Sequence, residues 1–149
     1  MAFEIRPYRP SDRDDVAVIC LRTAAAGGDA TGVYSDDTLM PEVFALPYLE
    51  YEPDLVFVVA DEHRAAGYVM AVADTADFVE WWKREWAPGF AERHPAAAPP
   101  TAHAPRFTEV ALIDAGVHPE RMLVDELDDY PAHLHIDLRP ELQGQGWGR

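Results

Sequence analysis

Cysteine is almost absent. The single residue, Cys20, excludes an intramolecular disulfide and a cysteine-based zinc site. Positive charge is scarce too: 12 lysines and arginines stand against 27 aspartates and glutamates, a formal net charge of -15. Such a surface repels phosphate backbones and anionic lipid, so neither nucleic acid nor a membrane is expected as a partner. No apolar run approaches the roughly 20 residues of a membrane span, and Met1-Ala2-Phe3-Glu4-Ile5-Arg6-Pro7 holds no apolar stretch of signal-peptide length. The expected location is cytoplasmic. No internal repeat is present.

The 149 residues suit about one domain, and 48% hydrophobic content is enough for a sizeable core. Phe3 to Arg6 alternates apolar and polar and predicts a first strand. Pro10-Ser11-Asp12-Arg13-Asp14 predicts a helix start capped by Ser11. Val16, Ile19, Cys20 and Thr23 lie at i, i+3, i+4 and i+7 and carry that helix to about Ala26, before Gly27-Gly28. On that face Cys20 reads as a small buried hydrophobe, not a catalytic thiol. A polar loop containing Tyr34-Ser35-Asp36-Asp37 precedes a second helical stretch, Pro41 to Tyr51. Asp54 to Ala60 and Ala66 to Val72, joined by Asp61-Glu62-His63-Arg64, predict an antiparallel hairpin.

Phe78, Trp82, Trp86 and Phe90 fall four apart, with Trp81 beside them, and predict a helix with an aromatic face ending near Pro88-Gly89. That face reads as core packing, with a wall of a binding groove as the alternative. Pro95 to Thr101 is of low complexity and reads as a surface loop. Short helices are expected at Phe107 to Ala115 and Pro119 to Leu127. A further strand, Ala132 to Leu138, then leads into Gln143-Gly144-Gln145-Gly146-Trp147-Gly148-Arg149.

Glycines in such a turn let the backbone aim its N–H groups at an anion with no Cβ in the way. The spacing is not that of a dinucleotide fold, because Arg149 stands where the third glycine would be. Nor is it a P-loop, which needs Lys-Ser/Thr after its last glycine. His133, His135 and Asp137 alternate along the preceding strand and share one face. Two readings stay open for them: a proton-transfer or His-x-His metal set, or a polar strand face satisfied by neighbouring helices. With no further ligand cluster in the sequence, no metal is expected.

The order of elements, ending in Gln143-x-x-Gly146-x-Gly148 after Leu138-Arg139-Pro140-Glu141-Leu142, resembles the GNAT superfamily of N-acetyltransferases. Ile5 to Asp12 resembles that superfamily's first strand and helix cap. More narrowly, Gly67-Tyr68-Val69, the aromatic segment Asp77 to Trp86, and Tyr130 to Leu138 resemble the acetyltransferase-like domain at the C-terminus of O-GlcNAcases and its bacterial stand-alone relatives. The resemblance implies an α/β (α+β in some schemes) acyl-CoA N-acyltransferase fold with a mixed central sheet. It implies a single domain over 1–149, with a helical insertion over 75–131 between the third and fourth strands. A helix and further strands follow the loop in that fold, so the sequence is expected to hold the domain's N-terminal portion.

Function follows from the same resemblance: acetyl-CoA as cosubstrate, and transfer of its acetyl group to an amine of a small molecule or peptide. The main chain of Gln143, Gly144, Gln145, Gly146, Trp147, Gly148 and Arg149 would hold the pyrophosphate. Ile136, Asp137 and Leu138 would turn their main chain to the pantetheine and the acetyl carbonyl. Ala132 and His133 stand where many GNAT enzymes carry a strand glutamate, and the superfamily's tyrosine acid lies on a later helix. Asp137, nearest the expected acetyl group, and His135 are the catalytic candidates. Tyr34, Asp36 and Asp37 are candidates for the acceptor groove. Binding of acetyl-CoA without turnover is the alternative, and a homodimer is an open assembly.

Overall fold

A computed structural model describes residues 2–95 and 108–149. Its four strands, β1 (Glu4–Pro7), β2 (Val56–Ala60), β3 (Ala65–Val72) and β4 (His133–Leu138), form one sheet in the order β1-β2-β3-β4. Every pairing is antiparallel. The mixed sheet expected above is therefore not present among the described residues: each strand lies beside its predecessor and runs the opposite way, whereas a parallel neighbour requires a crossover.

Between β1 and β2 come α1 (Arg13–Thr23), α2 (Leu39–Phe44) and α3 (Leu46–Tyr51). They cover one sheet face, where Val16, Ile19 and Cys20 of α1 join Val56, Val58, Tyr68, Met70 and Val72 in the main core. Asp12 and not Ser11 stands at the N-cap position of α1, and its side chain makes no capping bond to that helix. Pro10–Asp12 forms a 3-10 turn, and the Asp12 carboxylate accepts from the Arg9 N–H at 2.8 Å and from both Arg6 Nη atoms at 2.8 Å each. α1 stops at Thr23, three residues early, because Ala26 (φ 53) and Gly27 (φ 88) adopt left-handed backbone. The second stretch breaks at Ala45, where φ is -134, since Pro47 has no N–H to give to the preceding turn. Pro53–Leu55 forms a 3-10 turn, so β2 begins at Val56.

Between β3 and β4 lie α4 (Thr75–Trp81), a π-helical turn (Trp82–Trp86), α5 (Ala87–Arg93) and α6 (Glu109–Val117). The aromatic helix does not end at Pro88-Gly89. The widened π turn just ahead of Pro88 absorbs its missing N–H and its ring, and the helix continues to Arg93. Phe78, Trp82 and Phe90 are fully buried, with Trp82 Nε1 donating to the Gly116 carbonyl at 2.8 Å. α6 begins at Glu109, capped by the Thr108 hydroxyl. Phe107, and the surface-loop expectation over 96–101, lie outside the described residues. Pro119 to Leu127 is not one helix but two 3-10 turns, Pro119–Met122 and Asp125–Asp128, separated by extended Leu123 and Val124. Among the described residues no helix is long and apolar enough to cross a membrane.

The hydrogen bonds from Arg6 hold the Asp12 carboxyl below the usual carboxylate range, against the opposing effect of its burial. A carboxylate lowered in the folded state contributes stability above its unfolded pKa of ~3.9, and that contribution is lost as pH falls through the folded value. Asp12→Asn is expected to lower stability at pH 7 by about 2 kcal/mol, and the deficit should shrink toward pH 2. Urea denaturation midpoints at the two pH values check both.

Candidate functional site

The site is built on β4, whose two sides differ. Gly67 pairs with Leu138, Tyr68 with Asp137, Met70 with His135 and Val72 with His133, and the Arg139 N–H donates to the Ala66 carbonyl at 3.0 Å. Residues of an antiparallel pair exchange main-chain bonds at every second position. Counted from Arg139, the bonded positions are Asp137, His135 and His133, while Leu134, Ile136 and Leu138 turn their N–H and C=O outward. Among the described residues no strand pairs with that outer edge. This corrects one expectation: Ile136 and Leu138 present main chain at the open edge, but Asp137 presents its main chain to Tyr68. The Leu138 carbonyl further accepts from Gln143 Nε2 at 2.8 Å, leaving its N–H.

Beyond β4, Pro140–Leu142 makes a 3-10 turn and the glycine turn follows. Gly144 (φ 72) and Gly146 (φ 88) occupy the left-handed region, which disfavours every residue with a Cβ. The space around both is open, so backbone conformation and not crowding demands glycine there. Among the described residues no well-formed hydrogen bond takes the main-chain N–H of Gly144, Gln145, Gly146, Trp147 or Gly148. Side chains hold the turn in place. Gln145 Nε2 donates to the Glu141 carbonyl at 2.5 Å. Leu142 and Trp147 pack with Val59, Ala66, Phe3 and Leu138 in a second apolar cluster. The turn thus keeps its main chain toward solvent and its bulk toward the sheet.

On the helix-covered face, the side chains of His133, His135 and Asp137 lie together, as their alternation predicts. Tyr48 of α3 places its hydroxyl 2.7 Å from His133 Nε2 and 3.2 Å from His135 Nε2. Thr75 Oγ1 lies 2.7 Å from His133 Nδ1. The Tyr68 hydroxyl donates to Asp137 Oδ2 at 2.5 Å. A cavity of ≈ 410 Å³ borders His135 and Asp137 and is walled by Cys20, Thr23, Met40 and Phe44. A neighbouring one of ≈ 280 Å³ shares Phe44 and His135 and adds Tyr48, Thr75, Arg121 and His133.

Burial pushes the pKa of both imidazoles down, so each is neutral at pH 7. Arg121 adds to the lowering at both, His135 adds to it at His133, and Asp137 opposes it at His135. Burial also raises the Tyr48 and Tyr68 phenols, so both stay protonated hydrogen-bond donors. The Cys20 thiol is pushed up to about 12 by burial, which makes it a poor nucleophile. A neutral imidazole on a cavity wall can accept a proton. A metal fits less well: both nitrogens of His133 have partners, and among the described residues no three His, Cys, Asp or Glu side chains group to hold an ion.

Other candidates fall elsewhere. Asp36 accepts from the Thr38 N–H at 2.8 Å and Asp37 from the Gly32 N–H at 2.8 Å; with buried Tyr34 they shape their own loop and line neither cavity. Of the aromatic face, Phe78 stands behind the site, its ring centroid 4.8 Å from that of Tyr48 and 6.0 Å from that of His133. The sequence gives Tyr48 and Thr75 no mark, and Tyr68 figures in it only within Gly67-Tyr68-Val69, with no role at the site. Tyr68 was within reach, since it shares the inward-facing row of β3 with Met70 and Val72; Tyr48 and Thr75 carry no local signal.

No family model matches the sequence. Among solved structures, the crystal structure of SsHAT superposes with a TM-score of 0.86 at 45% sequence identity, over 99% of this chain and 72% of that one. The chain belongs to the family of SsHAT. With coverage this complete, the open β4 edge, the glycine turn and the histidine face all fall within the region aligned to SsHAT.

The placement of Cys20 in this SsHAT-family fold is testable. Its buried, neutral thiol is expected to resist alkylation by iodoacetamide at pH 8 in the native protein and to react fully only in unfolding concentrations of urea. Mass spectrometry of the labelled protein checks this, and rapid labelling of the native protein would assign Cys20 to an accessible, reactive class.

Proposed function

We propose that the chain is an acetyl-CoA-dependent N-acetyltransferase of the GNAT type, akin to the bacterial relatives of the O-GlcNAcase acetyltransferase-like domain, acting on an amine of a small molecule or peptide. The observation that carries this reading is the two-sidedness of β4. An open main-chain edge runs directly into a turn with two left-handed glycines, and the same strand's other side sets a neutral imidazole beside a cavity.

The residues present fit the coenzyme. Ile136 offers both N–H and C=O at the edge, the complement a pantetheine amide needs to pair as a strand would. The main-chain N–H groups of Gly144 to Gly148 make no well-formed hydrogen bond among the described residues, and they are the donors a pyrophosphate requires. Gln143 keeps the turn tied to Leu138, and Trp147 anchors it to the sheet. When bound, acetyl-CoA supplies the activated acetyl carbon and a thiolate leaving group. The chain's own contribution is to hold that carbon against the face carrying His135 and Asp137, which removes much of the entropic barrier of a two-body reaction.

A second reading is binding without turnover. It draws on the absence of a glutamate from β4 and on the engagement of the Asp137 carboxylate by Tyr68. Thiol release from acetyl-CoA with a panel of primary amines separates the two: release supports the transferase, and binding with no release supports the alternative.

Gly146→Val tests the cradle itself. At φ 88 a β-branched residue is strained, so the turn must move. Because the residue is exposed and meets no core atom, the fold should persist. Acetyl-CoA affinity by calorimetry should fall at least about tenfold, a free-energy loss of about 1.4 kcal/mol, with the thermal midpoint nearly unchanged. Undiminished affinity would contradict the pyrophosphate assignment.

A further inference from the structure

Side chains from α3, α4 and β4 form a chain of hydrogen bonds whose direction is determined. Thr75 has one hydroxyl hydrogen, and the Pro131 carbonyl 2.7 Å away can only accept it. The Thr75 oxygen must therefore accept from His133 Nδ1–H, 2.7 Å away. A neutral His133 with its proton on Nδ1 has a lone pair on Nε2, which takes the Tyr48 hydroxyl hydrogen at 2.7 Å. Tyr48 has no second hydrogen, so its oxygen accepts from His135 Nε2–H at 3.2 Å. The ring of His135 then carries its lone pair on Nδ1. Among the described residues that nitrogen has no hydrogen bond, and the ring borders both cavities.

We infer that Thr75, His133 and Tyr48 are positioning residues that lock His135 as its Nε2–H tautomer and leave His135 Nδ1 as the proton acceptor for the incoming amine. This rests on the acetyl-transfer reading above. The amine nitrogen bonds to the acetyl carbon while the carbon–sulfur bond breaks, its electron pair leaving on sulfur. The amine proton passes to His135 Nδ1 and from there to the departing sulfur. Charge gained by the ring is met through Nε2–H by the Tyr48 oxygen, so the relay supports the imidazolium as well as the tautomer.

Asp137 has a different part. Its Oδ2 already takes the only hydroxyl hydrogen of Tyr68, and its charge favours the protonated form of His135. The groups set around the His135 ring are His133 and Asp137 on its own strand, Tyr48 from α3, Tyr68 from β3, Cys20 from α1 and Arg121 from the 3-10 turn at Pro119–Met122. Glu126 also lines the smaller cavity. Asp137 opposes the lowering that burial and Arg121 impose, leaving His135 below the ordinary histidine value. The acid limb of the rate profile is expected below pH ~6.5, with activity lost as pH falls through the His135 pKa.

Ring-nitrogen NMR of the full chain labelled with ¹⁵N-histidine tests the relay without any coenzyme. The expected result is opposite tautomers, Nδ1–H at His133 and Nε2–H at His135. Tyr48→Phe should release His135 into a mixture while leaving His133 fixed; Thr75→Val should release His133, and Thr75→Ser should restore it. With an accepted amine, His135→Gln should lower kcat about 100-fold while acetyl-CoA affinity stays within about twofold (under 0.5 kcal/mol). Tyr48→Phe should lower kcat by a smaller factor and displace the acid limb. An Nδ1–H tautomer at His135, or an unchanged His135 spectrum in Tyr48→Phe, overturns the relay whatever the turnover. An undiminished kcat in His135→Gln overturns the base assignment alone. Failure of the parent protein to bind acetyl-CoA overturns the transfer reading and the base assignment with it, while the ring spectra still decide the relay.

Discussion

The pairing of β4 with β3 in one register decides what each side of the site contains. Because side chains alternate, a slip of one residue would bring Leu134 and Ile136 against α1 and carry the two histidines and Asp137 to the opposite face. Burying an unpaired polar group costs on the order of 1–3 kcal/mol, comparable to what burying one aliphatic side chain contributes, about 1.5–3 kcal/mol. Register by hydrophobicity alone would therefore favour the slip on β4. Partners reverse that balance: Tyr48 meets both His133 and His135, Thr75 meets His133 and Tyr68 meets Asp137, while Val56, Val58, Met70 and Val72 fix β2 and β3 beneath them.

The segment between β3 and β4 serves this arrangement from behind. Thr75, in the first turn of α4, accepts a ring N–H from β4 and also ties its own N–H and hydroxyl to the Pro131 carbonyl at the entry to that strand. Phe78, one helical turn on, packs against both Tyr48 and Tyr51, with ring centroids 4.8 and 5.0 Å away. The π turn lets one aromatic row pass Pro88 and reach α6, where Trp82 bonds to the Gly116 carbonyl. Tyr48 is thus clamped by packing before it makes any hydrogen bond, and a clamped phenol loses little entropy when it holds two imidazoles.

Local pattern made much of this legible. The β2–β3 hairpin, the buried stripe of α1, the polar row on β4 and the glycine turn all follow from spacing within a few residues. Where expectation and structure part, a single residue acts through geometry that spacing does not encode. Pro47 splits the second helix, whereas Pro88 fails to end the aromatic one because a π turn precedes it. Asp12 and not Ser11 stands at the N-cap position of α1, with its carboxylate turned back to Arg6, six residues earlier. The partners of the histidines were hidden for a different reason: Tyr48 lies 85 residues from His133, and Thr75 lies 58 away. Such contacts exist only after the sheet has closed, and no periodicity announces them.

The open edge of β4 also bears on the protein's own solubility. Leu134 and Ile136 are 59% and 46% exposed, and their main-chain donors and acceptors stand unpaired beside them among the described residues. An edge that offers a flat apolar row and a ready hydrogen-bond ladder recruits any extended segment, including the same edge of another molecule. The net charge of -15 opposes such pairing by keeping copies of the chain apart. Colloidal stability, and on the proposed function coenzyme recognition, draw on the same strand.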